Sequence, residues 1–333
     1  MDPEGPALRP ELAAYARAAY GWPADTAITP GPRGALGRIH RVAAGGTRYA
    51  LKEILAEPPT PARLAAELAL ARRAAAAGVR LPASHPDRSG RYLLTAPGGG
   101  WLRLYDWVDL RPLDPADPAT PPLVGELLAR LHRCAPPAAA EPGGSAPAAW
   151  YHRPPDPADW AAVAGSRAEW GARLAAVLPA VAEVAALATP VPAAGLLLCH
   201  RDLHPENVLL DPSGTPVVVD WDNLGPAAPA RELAGVLFDW FCPAGGPDLA
   251  AMRSAYAAYA AAGGPGRIRG AADFSMLVAT RLNFLLVQAR AWLDPAGPAG
   301  QRAWAEREID EGLALLPGPR QVEAVLAGVR RST

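Results

Sequence analysis

Asp202 and Asn207, five residues apart, and Asp220, thirteen residues further on, are the side chains whose types and spacing could do chemistry. They offer two carboxylates and an amide. Hard oxygen donors of this kind suit a divalent cation, and a carboxylate among them can orient a hydroxyl and accept its proton. The first two lie in Cys199-His200-Arg201-Asp202-Leu203-His204-Pro205-Glu206-Asn207, which runs into the apolar Val208–Leu210. A turn signal, Asp211-Pro212-Ser213-Gly214, separates this run from a second one, Thr215–Val219, which ends on Asp220-Trp221-Asp222. The pattern predicts a hairpin. Its closure would bring Asn207 and Asp220 to one end, with Asp202 just ahead of them.

The elements that must position these groups come from the rest of the chain. Its 333 residues, half of them hydrophobic, exceed one simple core and predict two lobes. The net charge of −1 gives no field for nucleic acid or a membrane surface, and no nucleic-acid motif is visible. No run reaches the ~18 apolar residues of a membrane span. The three cysteines, Cys134, Cys199 and Cys242, show neither metal-type pairing nor a disulfide framework. With the acidic, proline-bearing start Met1-Asp2-Pro3-Glu4, they point to a cytoplasmic protein.

Among 32 basic residues there is a single lysine, Lys52. In a chain that otherwise uses arginine, a retained lysine marks a position needing a compact ammonium rather than a planar fork. Lys52 lies in the alternating stretch Thr47–Ile54, a predicted strand that puts Ala50, Lys52 and Ile54 on one face and Tyr49 and Leu51 on the other. Before it, the glycine-bearing turn 31–37, centred on Gly34, could lay backbone N–H groups against phosphates. After it, Thr60 caps a predicted helix that starts at Pro61 and stops at Gly78. Leu64, Leu68 and Ala71 mark its apolar face, and Glu67 falls on that face. A buried carboxylate needs a partner, and Lys52 is the expected one. Strands follow at 91–95 and 101–108, then a proline-rich loop at 111–122. Helices are expected at 121–133, 158–187, 228–241, 247–262, 271–294, 299–315 and 319–331.

Phosphoryl transfer needs a cation on the inner phosphates, a carboxylate to hold that cation, metal ligands, and a carboxylate for the attacking hydroxyl. Lys52, Glu67, Asn207 with Asp220, and Asp202 supply these in that chain order. The motif His200–Leu209 resembles the His-Gly-Asp-Leu-His-Pro-x-Asn-Val-Leu loop of the aminoglycoside phosphotransferase and choline kinase-like family. Asp220-Trp221-Asp222 is similar to its metal-binding segment, Leu104-Tyr105-Asp106-Trp107-Val108 to its hinge, and Leu123–Arg133 to the helix after it. The resemblance spans roughly 30–240 and implies an α+β, bilobal protein-kinase-like fold. A small β-rich N-lobe with one key helix would occupy 1–106, and a larger, mostly helical C-lobe 107–333.

The resemblance further implies that Asp202 accepts the substrate proton, that Asn207 and Asp220 bind Mg²⁺, and that Lys52 holds the phosphates of ATP or GTP. Backbone groups of Asp106 and Val108 would take the base edge, while His200 and His204 brace the loop. The chain departs from the family pattern in places: Arg201 stands where glycine is usual, Glu232 where aspartate is usual, the aspartate of an Asp-Pro is missing before it, and the glycine-rich loop is looser.

No activation segment of a protein kinase follows Asp220, so the acceptor is expected to be a small hydroxylated molecule. An antibiotic or similar secondary metabolite is the first choice; a sugar, amino alcohol or nucleoside is the alternative. Asp239, Trp240, Glu306 and Asp310 are the candidate acceptor residues, with Glu308 and Glu311 nearby. A monomer or homodimer is expected. Two other readings are open. His200-x-Asp202-x-His204 on a strand could ligate a metal in a hydrolase, and a kinase-like module could bind without catalysis.

Overall fold

The computed structural model describes residues 6–33, 37–55, 57–96, 99–138, 148–165, 169–190, 194–297 and 299–330. In chain order the first elements are α1 (Pro10–Tyr20), β1 (Ala27–Arg33), β2 (Gly37–Ala44), β3 (Thr47–Ile54), α2 (Pro61–Ala76), β4 (Ser84–His85), β5 (Leu94–Thr95), β6 (Trp101–Asp106) and β7 (Arg111–Pro112). Then come α3 (Thr120–Cys134), α4 (Pro157–Ala164), α5 (Glu169–Ala185), β8 (Leu197–Cys199), β9 (Val208–Leu210), β10 (Pro216–Val218) and β11 (Gly225–Ala227). The chain closes with α6 (Pro229–Phe241), α7 (Leu249–Ala261), α8 (Ser275–Leu293), α9 (Ala299–Ala314) and α10 (Pro319–Arg330). Sheet dominates the first part and helix the second, which is the expected α+β arrangement. The single helix expected over 158–187 is two, α4 and α5. No helix among the described residues is long and apolar enough to cross a membrane.

The chain divides into two compact units, Met1–Pro112 with Val208–Asp222, and Leu113–Asn207 with Asn223–Thr333. In the first, an antiparallel sheet runs β1-β2-β3-β6-β4, with β5 also on β6. Period-two alternation gives its strands two unlike faces. Leu51, Leu94, Leu102 and Leu104 bury one face against Leu12, Ala13 and Ala16 of α1. Each such leucine contributes about 1.5–3 kcal/mol of burial.

The opposite face carries the polar groups. Register places Lys52 opposite Ile39 on β2 and Arg103 on β6. α2 starts as its sequence predicts: Thr60 Oγ1 accepts from the Arg63 N–H, and Pro61 occupies the first helical position. The hairpin of β9 and β10 forms as expected, with Val208 opposite Val218. It groups with the first unit, because β7 pairs with β9, Arg80 bridges to Val217, and Arg80 Nε lies 2.9 Å from Asp211.

The second unit is helical apart from the β8–β11 pair, in which Cys199 lies opposite Gly225. α3 and α7 approach closely enough that a Cβ on Gly125 would come within 2.1 Å of the Ala255 carbonyl oxygen. Trp160, Leu174, Val181, Leu282, Leu285 and Ile309 form a core among α4, α5, α8 and α9.

Candidate active site

Within the first unit, Lys52 is the centre of a charge cluster. Its side chain is buried, with Nζ 2.8 Å from Asp220 Oδ1 and 2.7 Å from Asp222 Oδ2. Burial works against the ammonium charge, but the two carboxylates outweigh it and hold its pKa above the usual lysine value.

Glu67 corrects an expectation. It is buried, as its helical spacing required, but its partner is Arg103 and not Lys52. The Arg103 guanidinium donates twice, at 2.9 Å to Oε2 and 2.6 Å to Oε1. Cross-strand register explains the exchange. Arg103 lies directly opposite Lys52, so α2 faces two cations, and the planar fork matches a carboxylate better than the point charge does. Lys52 is left to the two aspartates. Burial pushes the Glu67 carboxyl above its ordinary range, and Arg103 opposes that shift.

At the far end of β3, a concavity of about 400 Å³ is lined by Thr29, Arg41, Arg48, Tyr49 and Trp107 among others. Lys52 and Arg48 are four residues apart, about 13 Å along a strand. Arg41 sits over the Trp107 ring at 5.1 Å, and Asp109 accepts from Arg48 and from the Trp107 indole N–H. The Asp106 backbone N–H is committed to the Ala83 carbonyl at 2.9 Å, and its carboxylate pairs with His85 at 2.6 Å. The Val108 N–H has no partner among the described residues. Gly34 lies outside the described residues.

In the second unit the centre is Asp202. Its Oδ2 accepts from the Asn207 amide at 3.0 Å and from the Asn223 amide at 3.0 Å. Among the described residues its Oδ1 has the His204 imidazole nearby, at 3.7 Å, and the side chain is about one-third exposed. One oxygen is pinned and the other faces outward. Asn207 also donates to the Asp202 carbonyl at 2.8 Å, so its amide nitrogen is spent within the loop. Its amide oxygen accepts no hydrogen bond among the described residues.

Arg201 and Asp220 are the only non-glycine residues with positive φ among the described ones, at 65° and 54°. Such geometry costs on the order of 1–3 kcal/mol and persists where surrounding contacts hold it. The Arg201 N–H donates to Glu232, which also takes a bond from His132 Nε2 at 2.6 Å. His132 Nδ1 in turn accepts from the Tyr259 hydroxyl at 2.7 Å. Glutamate at 232 thus does the bracing for which aspartate was the expected residue.

Burial favours the neutral form of Glu232, but the bonds from His132 and Arg201 outweigh it and hold the carboxyl below its ordinary 4.5. A depressed folded value means that stability is present above 4.5 and lost as pH falls through the folded pKa. Denaturation midpoints measured from neutrality into acid should therefore fall less steeply below pH 4.5 in Glu232→Gln than in wild type. Equal slopes would show that Glu232 is not a charged brace.

Other sequence candidates fare differently. Trp240 is buried and donates from its indole to the Leu203 carbonyl at 2.8 Å; it braces the loop and offers no surface to an acceptor. Asp239 pairs with Arg281 at 2.5 Å. Glu306 and Asp310 are exposed on α9. Residues 200–207 form no strand, so His200-x-Asp202-x-His204 does not present three ligands to one side. The one group of metal-ligand type close enough to hold an ion among the described residues is His132, Cys199 and Glu232, and it is buried. Sequence reasoning missed Arg103, Tyr151 and Asn223. An arginine alternating with Leu102 and Leu104 on a strand was a readable signal for the first; Tyr151 and Asn223 carried none.

The chain as a whole is similar to known proteins. The model of the phosphotransferase enzyme family (APH) matches residues 27–272. No curated protein matches the sequence. A spectinomycin phosphotransferase solved with ADP and spectinomycin superposes with a TM-score of 0.67 at 12% identity, covering 98% of this chain and all of that one. A microcompartment-associated aminopropanol kinase gives 0.65 at 19%, covering 97% and 99%. An amicoumacin kinase, solved with AMP-PNP, Ca²⁺ and its substrate, gives 0.58 at 14%, covering 92% and 94%. Such likenesses show the protein-kinase-like fold. With a family model matched across most of its length, the chain belongs to the phosphotransferase enzyme family.

Proposed function

We propose that this small-molecule phosphotransferase moves the γ-phosphoryl group of ATP to a hydroxyl of an antibiotic or similar secondary metabolite. The observation that carries the reading is the Asp202 carboxylate, pinned through Oδ2 by two amides and open at Oδ1. That oxygen orients the acceptor hydroxyl and takes its proton as the new O–P bond forms. The bond from Pγ to the β-phosphate oxygen breaks, and ADP leaves. Lys52, drawn to carboxylates in this structure, would hold phosphate oxygens instead. Arg103 keeps Glu67 satisfied throughout. The concavity beside Trp107 would take the base, with the Val108 N–H offered to its edge.

Asn207 and Asp220 each fit a Mg²⁺ ligand. Asn207 spends its N–H groups on Asp202 and keeps its amide oxygen, and the Asp220 carboxylate is close to half exposed. Bound magnesium would neutralise charge on the phosphates.

The antibiotic class is supported by the spectinomycin and amicoumacin enzymes among the similar folds. Exposed acids such as Glu306 and Asp310 suit a cationic acceptor. The aminopropanol kinase favours the second reading, an amino alcohol. A panel decides: ADP release from ATP or GTP with Mg²⁺, against spectinomycin, amicoumacin, aminoglycosides, 1-amino-2-propanol, choline, sugars and nucleosides. Stimulation by one antibiotic class is expected. Stimulation by aminopropanol or choline alone would move the protein to metabolism, and binding of nucleotide with no turnover on any acceptor would leave a binding module.

A further inference from the structure

We infer that Arg201, Tyr151 and Asn223 form a relay that positions Asp202, a role that rests on the reading of Asp202 as the base. Arg201 adopts φ 65°, a conformation at ease only for glycine, the residue usual in the family motif. What an arginine adds there is a side chain, and two of its nitrogens are put to use. Nε donates to the Asn223 carbonyl at 2.7 Å and Nη2 to the Leu224 carbonyl at 3.1 Å. Two successive carbonyls are thus held by one rigid fork.

The guanidinium lies in a slot made for it. One face is 3.6 Å from the centre of the Tyr151 ring. The other faces Gly225, where a Cβ would fall 2.3 Å from Nη2. The wall is held in turn, since Asn283 of α8 donates to the carbonyls of Trp150 at 3.0 Å and Arg153 at 2.8 Å.

Tyr151 does a second task. Its hydroxyl donates to Asn223 Oδ1 at 2.9 Å. A phenol can donate or accept, so it is the acceptor-only carboxylate of Asp202 that requires the NH₂ end, while the Tyr151 bond anchors the amide from its other side. The NH₂ end therefore points at Asp202 Oδ2, 3.0 Å away. With the amide turned over, an oxygen would face the carboxylate and push it aside. Arg201 sets the backbone of Asn223, Tyr151 anchors its amide, and the amide holds Oδ2 of Asp202 so that Oδ1 stays open. None of the three is a catalytic residue; each acts through the next.

The chain has three asparagines, so full-length protein labelled with ¹⁵N-asparagine shows three side-chain amide pairs, assigned by single Asn→Ala changes. Arg201→Gly relieves the backbone, so it is expected to fold. Arg201→Gly and Tyr151→Phe should both shift the Asn223 pair and speed its exchange with water. The second readout is ADP release from Mg·ATP with water as acceptor, which needs no identified substrate. Both variants, and Asn223→Ala, should lower kcat by about 10- to 100-fold with KM for ATP within about 2-fold, the signature of a misplaced rather than a missing group. Gly225→Ala, whose Cβ would expel the guanidinium while leaving all three relay residues unmutated, should do the same. An Asn223 pair indifferent to Arg201→Gly would overturn the relay. So would an unchanged kcat in Asn223→Ala beside an inactive Asp202→Ala. An Asp202→Ala enzyme as fast as wild type would instead remove the base reading, and the relay's purpose with it.

Discussion

Replacing Asp202 by alanine is expected to lower kcat for phosphoryl transfer by about 10³-fold, within the range general-base groups contribute. The expectation comes from the carboxylate's surroundings. Two amides converge on Oδ2, so the acid is held in one orientation without being neutralised by a cation at bonding distance among the described residues. Its other oxygen is left open. Of the other titratable groups in the loop, His200 is buried, and the His204 imidazole lies 3.7 Å from the open oxygen itself. Asp202→Asn is the sharper form of the test. It keeps the volume and the polar contacts but cannot take a proton. Both variants should melt close to wild type, since Asp202 is partly exposed. ADP release within a few-fold of wild type in either one would sink the assignment of the base.

Much of this site could be read from residue order because its chemistry is local. Asp202 and Asn207 share one loop, and a turn signal at 211–214 joins them to the strand Pro216–Val218, two residues before Asp220. Lys52 stood out through residue usage, and Glu67 through helical spacing. What spacing could not supply was partnership across the chain. Period two says which face a strand residue takes, but only register says what stands opposite it. That is why Arg103, across from Lys52, took the carboxylate assigned to the lysine. Tyr151 and Asn223 are 72 positions apart and meet Asp202 only through tertiary packing. Trp240 illustrates the converse. It stood among the candidate acceptor residues, yet its indole N–H is spent on the Leu203 carbonyl inside the fold.

Removing the Arg103 guanidinium with Arg103→Leu is expected to cost about 3–5 kcal/mol of stability, because it leaves the Glu67 carboxylate buried without its partner. Arg103 is wholly inaccessible and the Glu67 side chain nearly so, so water cannot take the place of the lost bonds. Among the described residues, Lys52 is the other cation acting on Glu67. It already lies between Asp220 and Asp222, at 2.8 and 2.7 Å, and to reach Glu67 it would have to abandon both. The size of the loss therefore reports which pairing dominates. A shift of the urea midpoint worth 3 kcal/mol or more means that Lys52 stays with the aspartates. A loss under about 1 kcal/mol means that Lys52 has crossed to Glu67, and nucleotide affinity should then fall, because the phosphate cation has been diverted. The double variant Glu67→Leu with Arg103→Met separates charge from packing. It removes the buried pair as a unit and should recover most of the stability lost by Arg103→Leu, since apolar replacement of a complete buried pair is commonly neutral or better. Recovery of stability with nucleotide affinity intact would show that the pair supports the sheet, and recovery without it would show that Arg103 also keeps Lys52 in place.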